Sequence, residues 1–138
     1  MRLQISSRLA IFALLELAAH PEHQYSVAEI GRKYRMSNHH LAKVMHVMGR
    51  AGLVRSVRGA GGGYQFSGNV RRVTLLDVIQ LFEDLGSADD DTGAGGATGE
   101  GRALREVLDE IDDIARATFG SITIDTMLKM IARRQKSE

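Results

Sequence analysis

The sequence predicts a mainly α-helical fold carrying one small β-hairpin, and three observations lead there. Apolar residues recur at helical spacing along most of the chain, as at Leu41, Val44, Met45 and Met48. One short stretch, residues 53–66, breaks that period with two strand-like runs around a glycine-rich tip. A second amphipathic stripe follows residue 101, set apart by residues 86–101, which contain no large apolar side chain.

Taken in order, residues 6–19 are densely apolar through Leu9, Phe12, Leu14, Leu15 and Leu17. Serines precede them and Pro21 follows, so they read as a buried helix stopped by proline. Ser26-Val27-Ala28-Glu29 has capping-box spacing and opens a short helix to about Tyr34. After the tight Arg35-Met36 connection, Ser37 caps a third helix that ends at Gly52. Two short helices joined by about three residues make a helix-turn-helix.

Leu53–Val57 and Tyr64–Phe66 then flank Arg58-Gly59-Ala60-Gly61-Gly62-Gly63, the pattern of a hairpin with a glycine tip. A hairpin directly behind a helix-turn-helix is a wing. The fold class is therefore a winged helix-turn-helix domain over residues 1–85. Thr74-x-x-Asp77 caps a further helix with Val78, Ile79 and Phe82.

Residues 86–101 read as a flexible loop rich in glycine and acid. Residues 102–138 read as a long dimerisation helix, ended by Gly120, and a last short helix from Ser121 to Arg134. The stripe Leu104, Val107, Leu108, Ile111, Ala115 and Phe119 is the expected dimer face, since a helix this apolar must bury it against something.

Composition narrows the function. A net charge of +1 hides an asymmetry: residues 1–72 hold 11 lysines and arginines against 3 acidic residues, and residues 73–138 hold 7 against 14. A basic amino-terminal half points to a polyanion, because neutralised phosphates release counterions. No apolar run approaches the roughly 20 residues that span a bilayer, so no membrane partner is expected. The amino terminus lacks a signal-peptide pattern, which points to the cytoplasm. The chain has no cysteine, so disulfides and thiolate metal sites are excluded.

A helix in the major groove reads base edges from its first turns while cations hold the phosphates. The solvent face of the third helix offers Asn38, His39, Ala42, Lys43 and His46, with Ser37 and His40 close by. Asparagine can pair bidentately with adenine, and Lys43 can meet guanine or phosphate. In the wing, Arg55 and Arg58 flank a tip in which Gly61 lets backbone approach a duplex and Tyr64 follows. Double-stranded DNA is the expected partner.

An enzyme is not expected. Tyr64 stands where Gly59-x-Gly61-x-x would need glycine for a dinucleotide fingerprint, and no phosphate-binding Gly-Lys-Ser/Thr sequence exists. No paired nucleophile, base and acid emerges. The histidines His20, His23, His39 and His40 suggest a metal- or haem-responsive regulator as an alternative, but adjacent helical histidines chelate poorly as a pair. A winged-helix adaptor that binds protein rather than DNA is the other alternative, and it has no need of Arg55 and Arg58 beside so many glycines.

The opening Met1-Arg2-Leu3, the run MSNHHLAKVMHVMGRAGLVRSVRGAGGGY and the later VTLLDVIQLFED resemble the IscR/NsrR-type regulators, the Rrf2 family. The resemblance covers most of residues 1–85, and residues 111–128 resemble the family's long dimerisation helix and the short helix after it. It implies a homodimer, expected to act as a repressor on a palindromic promoter site, with Ser37 and His39 in the major groove and Arg58 in the minor groove. Cluster-binding members carry three cysteines before the long helix. The equivalent positions here are Asp91, Ala97 and Ala103, none of which supplies a thiolate, so no cofactor is expected.

Overall fold

The computed structural model describes residues 1–59, 62–85 and 95–137. Helix α1 (Ile5–Ala19) buries Leu9, Ala10, Ile11, Ala13, Leu14, Leu15, Leu17 and Ala18, so it is apolar on nearly every side. Such a helix belongs inside a fold, not on its surface. Most of the other elements accordingly pack against it. Its N-cap residue, Gln4, contributes no side-chain cap. Glu83 does so instead: its Oε2 accepts from the Gln4 N–H at 2.9 Å and from the fully buried Ser7 hydroxyl at 2.5 Å. A carboxylate at a helix N-terminus satisfies free donors and complements the dipole.

Helix α2 (Val27–Tyr34) opens with the expected capping box of Ser26 and Glu29, and helix α3 (Asn38–Arg50) opens on Ser37. Between them Arg35 sits in the left-handed region, at φ 55° and ψ 50°, and the Met36 N–H donates to the Gly31 carbonyl at 2.9 Å. Gly31 is buried beneath that turn. A Cβ there would stand 2.7 Å from Asn38 Oδ1 and 3.0 Å from the Met36 carbonyl oxygen, so the closeness of α2 to α3 depends on its absence.

Glu16 ties α2 to α1. Lys33 pairs with its carboxylate, and the Tyr34 hydroxyl donates to the same oxygen at 2.7 Å. Burial alone would raise the Glu16 carboxyl, but the hydrogen bonds from Lys33 and Tyr34 outweigh it and hold the group below the ordinary value. Burial and the bond to Glu16 push the Tyr34 phenol well upward, which keeps it a donor. Its ring stacks on Phe12 with centroids 5.1 Å apart.

Strands β1 (Val54–Val57) and β2 (Gly63–Phe66) pair antiparallel with Val54 opposite Phe66 and Val57 opposite Gly63. They are slightly offset from the expected runs, because Leu53 closes the end of α3 by donating to the Met48 carbonyl. A third segment joins them: Tyr25 and Tyr64 exchange backbone hydrogen bonds of 2.9 and 2.7 Å. A Cβ on Gly63 would run into the Tyr25 carbonyl, so glycine is required for this closeness. Helix α4 (Leu75–Ile79) has the expected box of Thr74 and Asp77, with Val78 and Ile79 buried.

Helix α5 (Gly99–Ser121) begins three residues before the expected start at residue 102, correcting the loop assigned to residues 86–101. Two glycines in its first turn hide that start, but Thr98 caps it by accepting from the Gly101 N–H, and Glu100 lies in the first turn. Residues 95–98 form a turn, and the rest of the expected loop, 86–94, lies outside the described residues. Gly120 does not end the helix, which closes one residue later with Ile122 as its C-cap. Helix α6 runs Ile124–Ser137, starting and ending three residues later than expected, and Ile124 is fully buried. Backbone bonds from Leu75 to Ile122 and from Ile124 to Val73 join this corner to α4.

Substituting Glu16→Gln will lower stability by about 1–2 kcal/mol at neutral pH. The folded carboxyl lies below its unfolded value, so its contribution is complete above about pH 4.3 and fades as pH falls through the folded value. Melting temperatures of the two proteins should therefore converge at acid pH; a difference that stays constant would refute the role of the ionised group. Gly63→Ala will cost about 1–3 kcal/mol by prising β2 from Tyr25, measured by denaturant unfolding, whereas the same change at Gly99, which has open space around it, will cost little.

Candidate nucleic-acid interface

The apolar face of α3, Leu41, Val44, Met45 and Met48, is buried against the core, with α1 and β1 among its neighbours. Helical periodicity then turns Asn38, His39, Ala42, Lys43 and His46 outward, and all five are exposed. The Ser37 side chain is engaged as the cap, accepting from the His40 N–H at 3.3 Å. Asn38 is exposed yet leans toward α2, with its Oδ1 next to Gly31.

Two of the expected contact residues are placed differently from the rest. His40 is half-buried, its Nε2 lying 3.0 Å from Ser6 Oγ on α1. Tyr64 is half-buried as well: its backbone pairs with Tyr25 and its side chain packs against the core. Both are turned inward because a neighbouring element offers a partner, which position along the chain does not disclose.

In the wing, the Arg55 guanidinium donates to Gln65 Oε1 at 2.9 Å, and Gln65 in turn donates to the Glu22 carbonyl at 3.3 Å. Arg55 is exposed but oriented across the hairpin. Arg58 is exposed beside Gly59, whose φ of +113° turns the tip. Gly61 lies outside the described residues. The exposed cations Lys43, Arg55 and Arg58 thus sit on the third helix and the hairpin that follows it directly.

Among the described residues no three histidines or carboxylates gather where a metal could be held. His23 is occupied: it lies 3.2 Å from Glu29 and edge-on to Tyr25. The Glu29 carboxyl is held low by the Ser26 backbone N–H and by His23. Ala97 and Ala103 are both exposed, and the Ala97 carbonyl accepts from Arg102 at 2.9 Å. Asp91 lies outside the described residues. With no cysteine in the chain, the residues present do not fit a thiolate-held iron–sulfur cluster.

The expected dimer face divides in two. Leu104, Val107, Leu108 and Ile111 are 39–59% exposed and continuous with Ile114, at 59%, which lies outside the expected stripe. Ala115 and Phe119 are half-buried, and Phe119 packs against the chain's own core. The stripe is wider than one contact face, and its carboxy-terminal end is used by α5 docking near α4. Among the described residues no helix is long and apolar enough to cross a membrane.

This chain is similar to known proteins over its whole length. The family model described as "Rrf2: Iron-dependent Transcriptional regulator" matches residues 3–130. BadM of Rhodopseudomonas palustris, named as an HTH-type transcriptional regulator, is 50% identical over 139 residues, covering 100% of this chain and 88% of that protein. The HTH-type transcriptional regulator IscR of Xenorhabdus nematophila is 30% identical over 145 residues, covering 100% and 88%. The solved structure of IscR from T. potens superposes with a TM-score of 0.79 at 27% identity, covering 98% of this chain and 91% of that one. CymR of Staphylococcus aureus in its oxidised form, at 23% identity and a TM-score of 0.76, covers 93% and 96% and shows the shared fold. The mainly helical winged fold, the outward face of α3 and these relatives together establish that the chain belongs to the Rrf2 family of DNA-binding transcriptional regulators, and not to a family of enzymes.

Proposed function

We propose that the protein is a homodimeric repressor that binds a palindromic promoter site and works without a cysteine-held cluster. The observation that carries this is the outward face of α3, where His39, Lys43 and His46 stand exposed on a helix whose other side is locked in the core. A rigid base and a free polar face are what base reading in a major groove requires. Arg58 beside the hairpin tip is then the minor-groove or phosphate contact, with Arg55 on the adjoining strand, while Ser37 and Asn38 open the reading helix.

The second copy is the occupant proposed for the apolar row of α5. Pairing two such helices buries Leu104, Val107, Leu108, Ile111 and Ile114 at once and brings two copies of α3 to successive grooves, about 34 Å apart. The chain's own core is complete without that row, since α5 has no buried residue. The family model's iron dependence does not carry over to this chain through cysteine.

Lys43→Ala and Arg58→Ala should each weaken binding to a duplex selected by the wild-type protein from a random pool. Where the side chain meets a phosphate, its removal will flatten the salt dependence by about one unit; where it meets a base edge, the cost will be about 1–3 kcal/mol at one position of the site. Unchanged binding in both would place the interface elsewhere. Ile111→Asp should convert the protein to a monomer by sedimentation, with operator affinity down by at least about tenfold because only one half-site is engaged. A variant that still sedimented as a dimer would remove α5 from the interface. Truncation is the poorer test, because Ile124 belongs to the core.

A further inference from the structure

We infer that Ser6 is a positioning residue for DNA reading, one that sets the pose of the first turn of α3 through His40. The inference rests on α3 being the reading helix, as proposed above.

Ser6 and His40 are 34 positions apart, yet Ser6 Oγ and His40 Nε2 lie 3.0 Å from one another in a half-buried contact between α1 and α3. His40 is in the first turn of α3, and its own N–H is held by the Ser37 cap. Backbone and ring of one residue are therefore fixed from two directions. His39 on one side and Lys43 one turn on are exposed and take their orientation from that turn. The contact converts His40 from a reader into a brace.

The anchor is itself anchored. On either side of Ser6, the Gln4 N–H and the Ser7 hydroxyl both donate to Glu83 Oε2, and Ser7 is fully buried. The first turn of α1 is thus clamped to the segment after α4 and cannot drift with α3. Base-edge hydrogen bonds tolerate displacements of only about 0.5 Å, so a brace of this kind governs selectivity more than overall attraction to phosphate.

Stability and positioning separate cleanly at this site. Ser6 is helical, where alanine is the better residue, so Ser6→Ala should leave the melting temperature within about 2 °C of wild type. Binding of the full-length protein is measured on two duplexes of equal length, one selected by wild type from a random pool and one unrelated. Ser6→Ala is expected to weaken the selected duplex about three- to tenfold, the worth of one hydrogen bond, and to leave the unrelated duplex unchanged. His40→Ala should do the same, His40→Gln should retain most of the affinity because its amide can still meet the hydroxyl, and the double variant Ser6→Ala/His40→Ala should bind no more weakly than either single variant.

Equal weakening on both duplexes, wild-type binding by Ser6→Ala, or effects that multiply in the double variant would each overturn the inference. Lys43→Ala and Arg58→Ala, measured alongside, tell its failure from that of the functional reading. If they weaken the selected duplex and Ser6→Ala does not, the brace alone is wrong; if none of the three matters, the assigned interface falls as well.

Discussion

The burial of α1 is the constraint on which the rest of the structure depends. A helix apolar on nearly every side cannot be satisfied by one partner, so α2, α3, α4, β2 and α6 each take part of its surface. The helix leaves polar groups mainly at its ends, and those are where long-range ties form: Glu83 at the first turn, and Glu16 with Lys33 and Tyr34 near the last. Because α3 is one of its partners, the rigidity of α1 is passed to the helix whose outward face is proposed to meet DNA.

The helix-turn-helix adds a local constraint of a different kind. Two side-chain caps define where α2 and α3 begin, and a single left-handed residue, Arg35, defines how sharply the chain turns between them. Gly31 then sets how close the two helices come. Apart from Gly31, which lies next to Asn38, these features stay clear of the outward face. They fix the geometry that presents the outward face of α3.

How much of this is legible in the sequence follows from the range of the interactions. The boxes at Ser26/Glu29 and Thr74/Asp77 are visible because both partners lie within one turn, and the outward set on α3 because helical period alone decides it. The bridge from Tyr25 to Tyr64, the Glu83 cap and the pairing of His40 with Ser6 join positions from 34 to 79 residues apart, and no local pattern announces them. Those same interactions account for Tyr64 and His40 being half-buried. The start of α5 is obscured by glycines, which lower helix propensity but do not prevent a capped turn. On α5, periodicity marks an apolar sector without saying which edge docks on α4, so it groups Phe119 with the exposed row and leaves Ile114 out.

Helix α5 is held at one end. Arg116 reaches the Leu85 carbonyl and Gly120 lies against Leu76, whereas toward the amino terminus Leu104, Val107 and Ile111 are more than half exposed among the described residues. A helix of 23 residues is about 34 Å long. Beyond the anchor at Arg116 about 26 Å of helix extends toward Gly99, so a tilt of five degrees about that point would carry the amino-terminal tip through about 2 Å. Residues 97 and 103 ride at or beside that tip, the place where a small force gains the greatest mechanical advantage over α4. Leu85, where Arg116 attaches, is two residues from Glu83 and the clamp on α1, so the fixed end of α5 and the first turn of α1 are held by one short segment of chain.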